Sequence, residues 1–188
     1  EGSKVSKNPA ECFVSVDVET AGPVPGRHAL LSVGACVAGR KNERFYAELR
    51  PEGAAIVPEA VAVTGLNLDD LARTGEEPRA AFERFRDWAV TAAGGGPLVF
   101  VGFNAGFDWS FVNWHFHTYM GENPFGFAPL DIKSFYMGFA GCSWGETKSS
   151  RMPAEFRVEP DKRHNALADA VAQAEVFERL LTSAEGRR

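Results

Sequence analysis

Polar and apolar positions alternate from Cys12 to Val18, with Cys12, Val14, Val16 and Val18 on one side and Phe13, Ser15, Asp17 and Glu19 on the other. A period of two marks a strand with two unlike faces. Two more β-rich runs, Ala29 to Ala38 and Glu43 to Leu49, follow across the turn-forming AGPVPG and GRKN segments, so the chain is expected to open with three strands. The period then changes. Pro58 to Leu66 reads as a short helix closing on Gly65, and Glu77 to Ala93 carries Phe82, Phe85, Trp88 and Ala89 at helical spacing before three glycines stop it. Leu98 to Phe103 is apolar throughout, the pattern of a strand buried on both faces. A helix with the stripe Phe107, Phe111 and Trp114 follows, then a fifth strand over Phe127 to Ile132 and a short helix over Lys133 to Phe139. In the last helix Leu167, Ala170, Val171, Ala174, Phe177 and Leu181 line one side behind Asn165 as N-cap. Gly141 to Arg163 has no period and is expected as a long surface loop; five basic residues (Lys148, Arg151, Arg157, Lys162, Arg163) stand there against four acidic ones. Strands first and then alternating helices and strands make an α/β domain with a mixed sheet.

Composition fits one domain of 188 residues, 45% hydrophobic and rich in Phe, which excludes disorder as the main state. The expected division is a flexible arm over residues 1–10, a single domain over 11–183 and a short tail over 184–188. Three cysteines, Cys12, Cys36 and Cys142, fit neither a disulfide framework nor a CxxC zinc site and are read as reduced thiols of a cytoplasmic protein. The first residues are polar and lack a signal-type apolar run, and no apolar stretch is long enough to span a membrane. Without an initiator Met, a trimmed start is expected. The net charge of −5 argues against a broadly basic nucleic-acid coat, so any polyanion must be held by local features.

Three local features stand out. Asp17 and Glu19 share one strand face with Cα atoms roughly 7 Å apart, near enough for both side chains to reach one cation. Alone, such a pair is more often a solvated strand end. Asp108 falls just past the buried Leu98–Phe103 run, at the carboxyl end of a strand, where ligand sites of α/β sheets gather. Alone, it reads as an acid at a helix N-terminus with Asn104 as cap. Asp169 lies off the apolar stripe of the last helix, five residues after His164, with no cation at i−4 (Asn165) or i+4 (Gln173). Four gathered acids repel and raise one another's pKa unless a divalent ion is present, and oxygen-only donors select Mg²⁺ or Mn²⁺ over zinc. Two such ions suit an in-line displacement at phosphorus, with a near-neutral histidine taking the proton of the attacking water.

Two other features are decoys. Gly141 to Ser149 superficially resembles a phosphate loop, but two residues separate its second glycine from Lys148 and no buried strand leads in. His115 and His117 stand two apart on a helix and do not face one metal. Trp88 and Trp114 read as core.

Together SVDVETAG, VGFNAGFDWSFV and HNALADAVA resemble the Exo I, II and III motifs of the DEDDh 3′–5′ exonucleases, which include polymerase proofreading subunits, ribonuclease T and oligoribonuclease. The resemblance spans about Cys12 to Leu181 and implies a ribonuclease H-like fold, a mixed five-stranded sheet flanked by helices. It implies that Asp17, Glu19, Asp108 and Asp169 hold two Mg²⁺ or Mn²⁺ ions, that Asp17 bridges them, and that His164 is the general base. Thr20 and Ala21 match residues whose backbone lies near the terminal nucleotide, and Val63 to Leu66 matches a segment that packs on the 3′ base. Phe107 stands where some relatives stack an aromatic on a base, although it also begins a core stripe; Asn104 either orients the site or caps the helix. The implied activity is release of 5′-mononucleotides from single-stranded 3′ ends of DNA or RNA. RNA trimming of the oligoribonuclease type and a non-catalytic nuclease-fold binding protein are the alternatives. A homodimer is among the assemblies found in the family. Pro23 to Gly26 replaces an aromatic-bearing loop of ribonuclease T, so that enzyme's base preference is not implied.

Overall fold

The computed structural model describes residues 10–53, 55–158, 160 and 164–186. Strands β1 (Cys12–Thr20), β2 (Leu30–Val37), β3 (Arg40–Glu48), β4 (Leu98–Gly102) and β5 (Leu130–Asp131) form one sheet in the order β3-β2-β1-β4-β5. The first three are mutually antiparallel, and β4 and β5 join parallel to β1. The expected mixed five-stranded sheet is present. Its helices are α1 (Pro58–Thr64), α2 (Leu68–Thr74), α3 (Pro78–Ala93), α4 (Gly106–Met120), α5 (Ile132–Ala140) and α6 (Ala166–Glu185).

The alternation in β1 sorts its side chains between two cores. Cys12, Val14, Val16 and Val18 meet Phe82 and Phe85 of α3 and Phe111 and Phe116 of α4. Phe13 turns the other way, toward Phe177 of α6, in a second cluster with Tyr136 of α5. Each fully buried Phe contributes roughly 2–3 kcal/mol through apolar burial. Strand β2 is buried along its whole length, whereas β3 at the sheet edge exposes Arg40, Lys41 and Arg44, charges that discourage pairing with another chain.

Helix α6 crosses the sheet very closely. At Gly34 of β2 an added Cβ would lie 2.3 Å from the backbone of Ala166 and Leu167. Glycine there, with Ala166, Ala170 and Ala174 buried along α6, lets the start of the helix seat directly on the strand. Leu167, Val171 and Leu181, expected on the buried stripe, are half-buried at its margin.

Three expectations are corrected and one element is added. The fifth strand is two residues long, not Phe127 to Ile132; Phe127 is 94% exposed, and Asp131 ends β5 by capping α5 with its carboxylate on the Ser134 N–H. Leu68–Thr74 is an additional helix, capped by Asn67 and burying only Leu71, too short to show a periodic stripe. Trp114 is 36% exposed and lies over Gly26 rather than in the core. Within 141–158, three short 3₁₀ turns form and Thr147, Met152 and Phe156 are buried, so this part of the loop is packed. Among the described residues all three cysteines are free, and no helix is long and apolar enough to cross a membrane. The N-terminal arm lies, save for Ala10, outside the described residues, as do the last two residues of the expected tail.

Candidate active site

A cleft of about 450 Å³ opens where β1 and β4 end and α4 and α6 begin, lined by Asp17, Glu19, Asp108, His164 and Asp169 among others. All five signature residues therefore reach one place. Carboxylate oxygens of Asp17, Glu19 and Asp169 lie within 4.8 Å of one another, close enough to share a cation. The backbone explains each position. Asp17 and Glu19 share the β1 face that looks toward α6, and the register of β2 slips at Glu19/Thr20, with Leu31 as the extra residue. Such bulges commonly sit beside active sites and re-aim side chains.

Asp108 sits in the first turn of α4 and is buried, and its Oδ1 accepts the Val18 N–H at 3.0 Å. The pairing of β1 with β4 ends at Ser15, and past that point this carboxylate takes the strand's amide. The turn into α4 needs Asn104 at φ 67°, a left-handed conformation that Asn tolerates better than most residues. Asn104 does not cap the helix with its side chain; Ala105 occupies the N-cap, and Asp131 Oδ1 accepts the Ala105 N–H at 3.0 Å. Asn104 lines the cleft instead.

Asp169 stands in the first turn of α6. The Asn165 side chain accepts the Ala168 N–H at 3.1 Å, and Asp169 Oδ2 accepts the Asn165 N–H at 3.2 Å, which locks the helix start. His164, just before the N-cap, is exposed with φ 56°. It lines both the cleft and a smaller cavity of about 220 Å³ that contains Glu19, Ser32, Tyr46, Thr64, Gly65 and Leu66.

Burial and mutual repulsion strain these acids. Burial, then the charges of Asp108, Asp169 and Glu19, pushes Asp17 well above the usual carboxylate range, against a hydrogen bond from Gln173. Burial and Asp169 raise Glu19 to about 7. Burial raises Asp108 to about 7 despite the Val18 amide. A divalent cation fits this donor set: it consists of oxygens, it converges, and its members are costly to ionise together.

The residues expected near the terminal nucleotide divide. Phe107, 36% exposed, lines the cleft, and Leu66 lines the adjoining cavity. Thr20 and Ala21 line neither; both are buried, and the Ala21 N–H and C=O are engaged by Ala29 and Val57. Two residues escaped sequence reasoning. Gln173 Nε2 donates to Asp17 Oδ1 at 2.7 Å while its Oε1 accepts the Phe103 N–H at 3.0 Å, tying β1, the end of β4 and α6 together. Its place four residues after Asp169 was the available signal. Asp131, which organises the start of both α4 and α5, had none.

The family model described as Exonuclease (RNase_T) matches residues 14–177. The 3′-5′ DNA exonuclease Cap18 of Escherichia coli is 48% identical over 168 residues, which are 89% of this chain and 90% of that protein. Among solved structures, the nuclease domain of 3′hExo bound to rAMP superimposes with TM-score 0.75 at 18% identity, covering 95% of this chain and 94% of that one. E. coli exonuclease I in complex with a dT13 oligonucleotide gives 0.70 at 18% identity, over 95% of this chain and 42% of that one. With its motifs, its sheet and its acidic cleft all in agreement, the chain belongs to the Exonuclease family of ribonuclease T type, the DEDDh 3′–5′ exonucleases.

Proposed function

We propose that this exonuclease degrades single-stranded DNA from its 3′ end in a reaction dependent on two Mg²⁺ or Mn²⁺ ions, releasing 5′-mononucleotides. The observation that carries the proposal is the convergence of Asp17, Glu19 and Asp169 within 4.8 Å, in a cleft that Asp108 and His164 also line. Asp17, Glu19, Asp108 and Asp169 would hold the metal. Bound there, the ions supply charge neutralisation at the scissile phosphate and a water of lowered pKa. His164, exposed at the mouth and free of the helix ladder, accepts the proton of the attacking water. Leu66 and Phe107 offer apolar surface to the terminal bases; such stacking is worth roughly 1–3 kcal/mol per base and is tolerant of sequence. DNA is favoured over RNA because the relative at 48% identity is named a DNA exonuclease.

The test is incubation of 5′-labelled single-stranded DNA and RNA oligomers with and without Mg²⁺ or Mn²⁺, beside Asp17→Asn. A 3′-shortening ladder on DNA that needs metal and disappears in the variant is the expected result. A ladder on RNA alone moves the assignment to RNA trimming, and no ladder on any substrate with either metal leaves only a binding role.

A further inference from the structure

The cleft has a second wall. Besides the carboxylates the cleft is lined by Ser149, Met152, Phe156, Arg157, Val158 and Pro160, from the 3₁₀-rich segment between α5 and α6. This wall is anchored: Met152 and Phe156 are buried in the cluster with Tyr136 and Phe177, and the Phe156 ring meets those of Tyr136 and Phe139. The Arg179 guanidinium of α6, paired with Glu175, donates to the carbonyl oxygens of both Glu155 and Arg157 at 2.9 and 3.2 Å. The backbone at Arg157 is thereby fastened to the same helix that carries Asp169.

Arg157 is set apart from six of the eleven described arginines. Arg40, Arg50, Arg73, Arg84, Arg86 and Arg179 are each paired with a carboxylate. Arg157 is exposed, has no side-chain ion pair or hydrogen bond among the described residues, and is the one lysine or arginine that lines the cleft there. A guanidinium with no described carboxylate partner, on a residue that lines the same cleft as the acids, is a donor fork matched to a phosphodiester. The scissile phosphate belongs, on the function proposed above, at the carboxylates. We propose that Arg157 forms a subsite for an internucleotide phosphate upstream of the scissile one, gripping the strand and not the reacting group. This rests on the exonuclease reading and adds to it a site for the second nucleotide step. On a chain with net charge −5, such a local cation supplies hold that the surface as a whole does not.

Two substrates separate the possibilities: a single-stranded DNA 10-mer, and the p-nitrophenyl ester of thymidine 5′-monophosphate, which carries one phosphate and no upstream nucleotide. For Arg157→Gln the KM on the 10-mer is expected to rise about 10-fold with kcat within 2-fold, Arg157→Lys to recover part of the loss, and the ester to be cleaved as by the unaltered protein. The slope of log KM against log[NaCl] is expected to fall by about 0.7, the value for one phosphate contact on a single strand. Equal losses on both substrates, or none on either, overturn the subsite. Fluorescence anisotropy with labelled dT10 in Ca²⁺ reads affinity without turnover: if the unaltered protein cleaves neither substrate the exonuclease reading falls, and unchanged dT10 affinity in Arg157→Gln overturns the subsite separately.

Discussion

Replacing Gly34 by Ala tests whether the depth at which α6 seats on the sheet sets the active site. The new Cβ would lie 2.3 Å from Ala166 C and Leu167 N, whereas ordinary contact begins at 3.4 Å, so the start of α6 must lift by about 1 Å. Both atoms are backbone, and no side-chain rotation relieves the clash. The Asn165 N–H and the Asp169 carboxylate are bonded to each other, so Asp169 and the neighbouring His164 are carried along. A displacement near 1 Å in a catalytic constellation costs on the order of 100-fold in rate. Overpacking costs about 1–3 kcal/mol, or a Tm lower by about 2–12 °C in a domain of this size. The assay is kcat/KM on a labelled single strand well below the variant's Tm, beside a Mn²⁺ titration. Gly138→Ala is the control: it lies exposed in mid-α5, an added Cβ meets nothing within 4 Å, and it is expected to stabilise by about 0.5–1 kcal/mol with activity unchanged. A folded Gly34→Ala protein with kcat/KM within about 3-fold of the original and unchanged Mn²⁺ affinity refutes the link between seating depth and the acids.

Three further outcomes are expected. His164→Asn, chosen because Asn tolerates the φ of 56° at this position, should lose turnover by more than about 100-fold while retaining Mn²⁺ binding and Tm; lost Mn²⁺ binding makes His164 a ligand instead of a base. Gln173→Leu removes a donor from Asp17 and an acceptor from the Phe103 N–H, and should weaken Mn²⁺ affinity about 10–100-fold by titration; an unchanged affinity shows that Asp17 is oriented without it. In EDTA the protein should lose Tm as pH rises from about 4 to 7: Glu19 and Asp108, raised to about 7 in the fold, bind protons there that the unfolded chain has released, and saturating Mg²⁺ should flatten that decline.

Elements whose signal is periodic and long were legible in the sequence. The two faces of β1, the position of β4 and the Asn165 cap of α6 follow from period and cap chemistry, and they brought the five signature residues to one cleft. Short elements were not legible. Helix α2 buries one side chain, and β5 has two residues, so neither offers a repeat to count. Trp114 was misplaced because helical spacing says which residues share a face and not whether a glycine loop, rather than the core, meets that face. Gln173 and Asp131 act on partners 156 and 26 residues away, and no local pattern encodes those hydrogen bonds.

Backbone and side-chain amides aim the acids of the cleft. Asp108 receives the Val18 amide, Asp17 the Gln173 amide and Asp169 the Asn165 amide, neutral donors that fix where each carboxylate points. These donors do not offset desolvation, since Asp17, Glu19 and Asp108 all remain raised. Among the described residues, Arg157 brings a guanidinium-bearing residue to the same cleft, and Arg179 and Phe156 hold its segment to α6. On the two proposals above, charge of each sign has its own task in one cleft, the carboxylates for metal and the reacting phosphate, the guanidinium for the strand behind it.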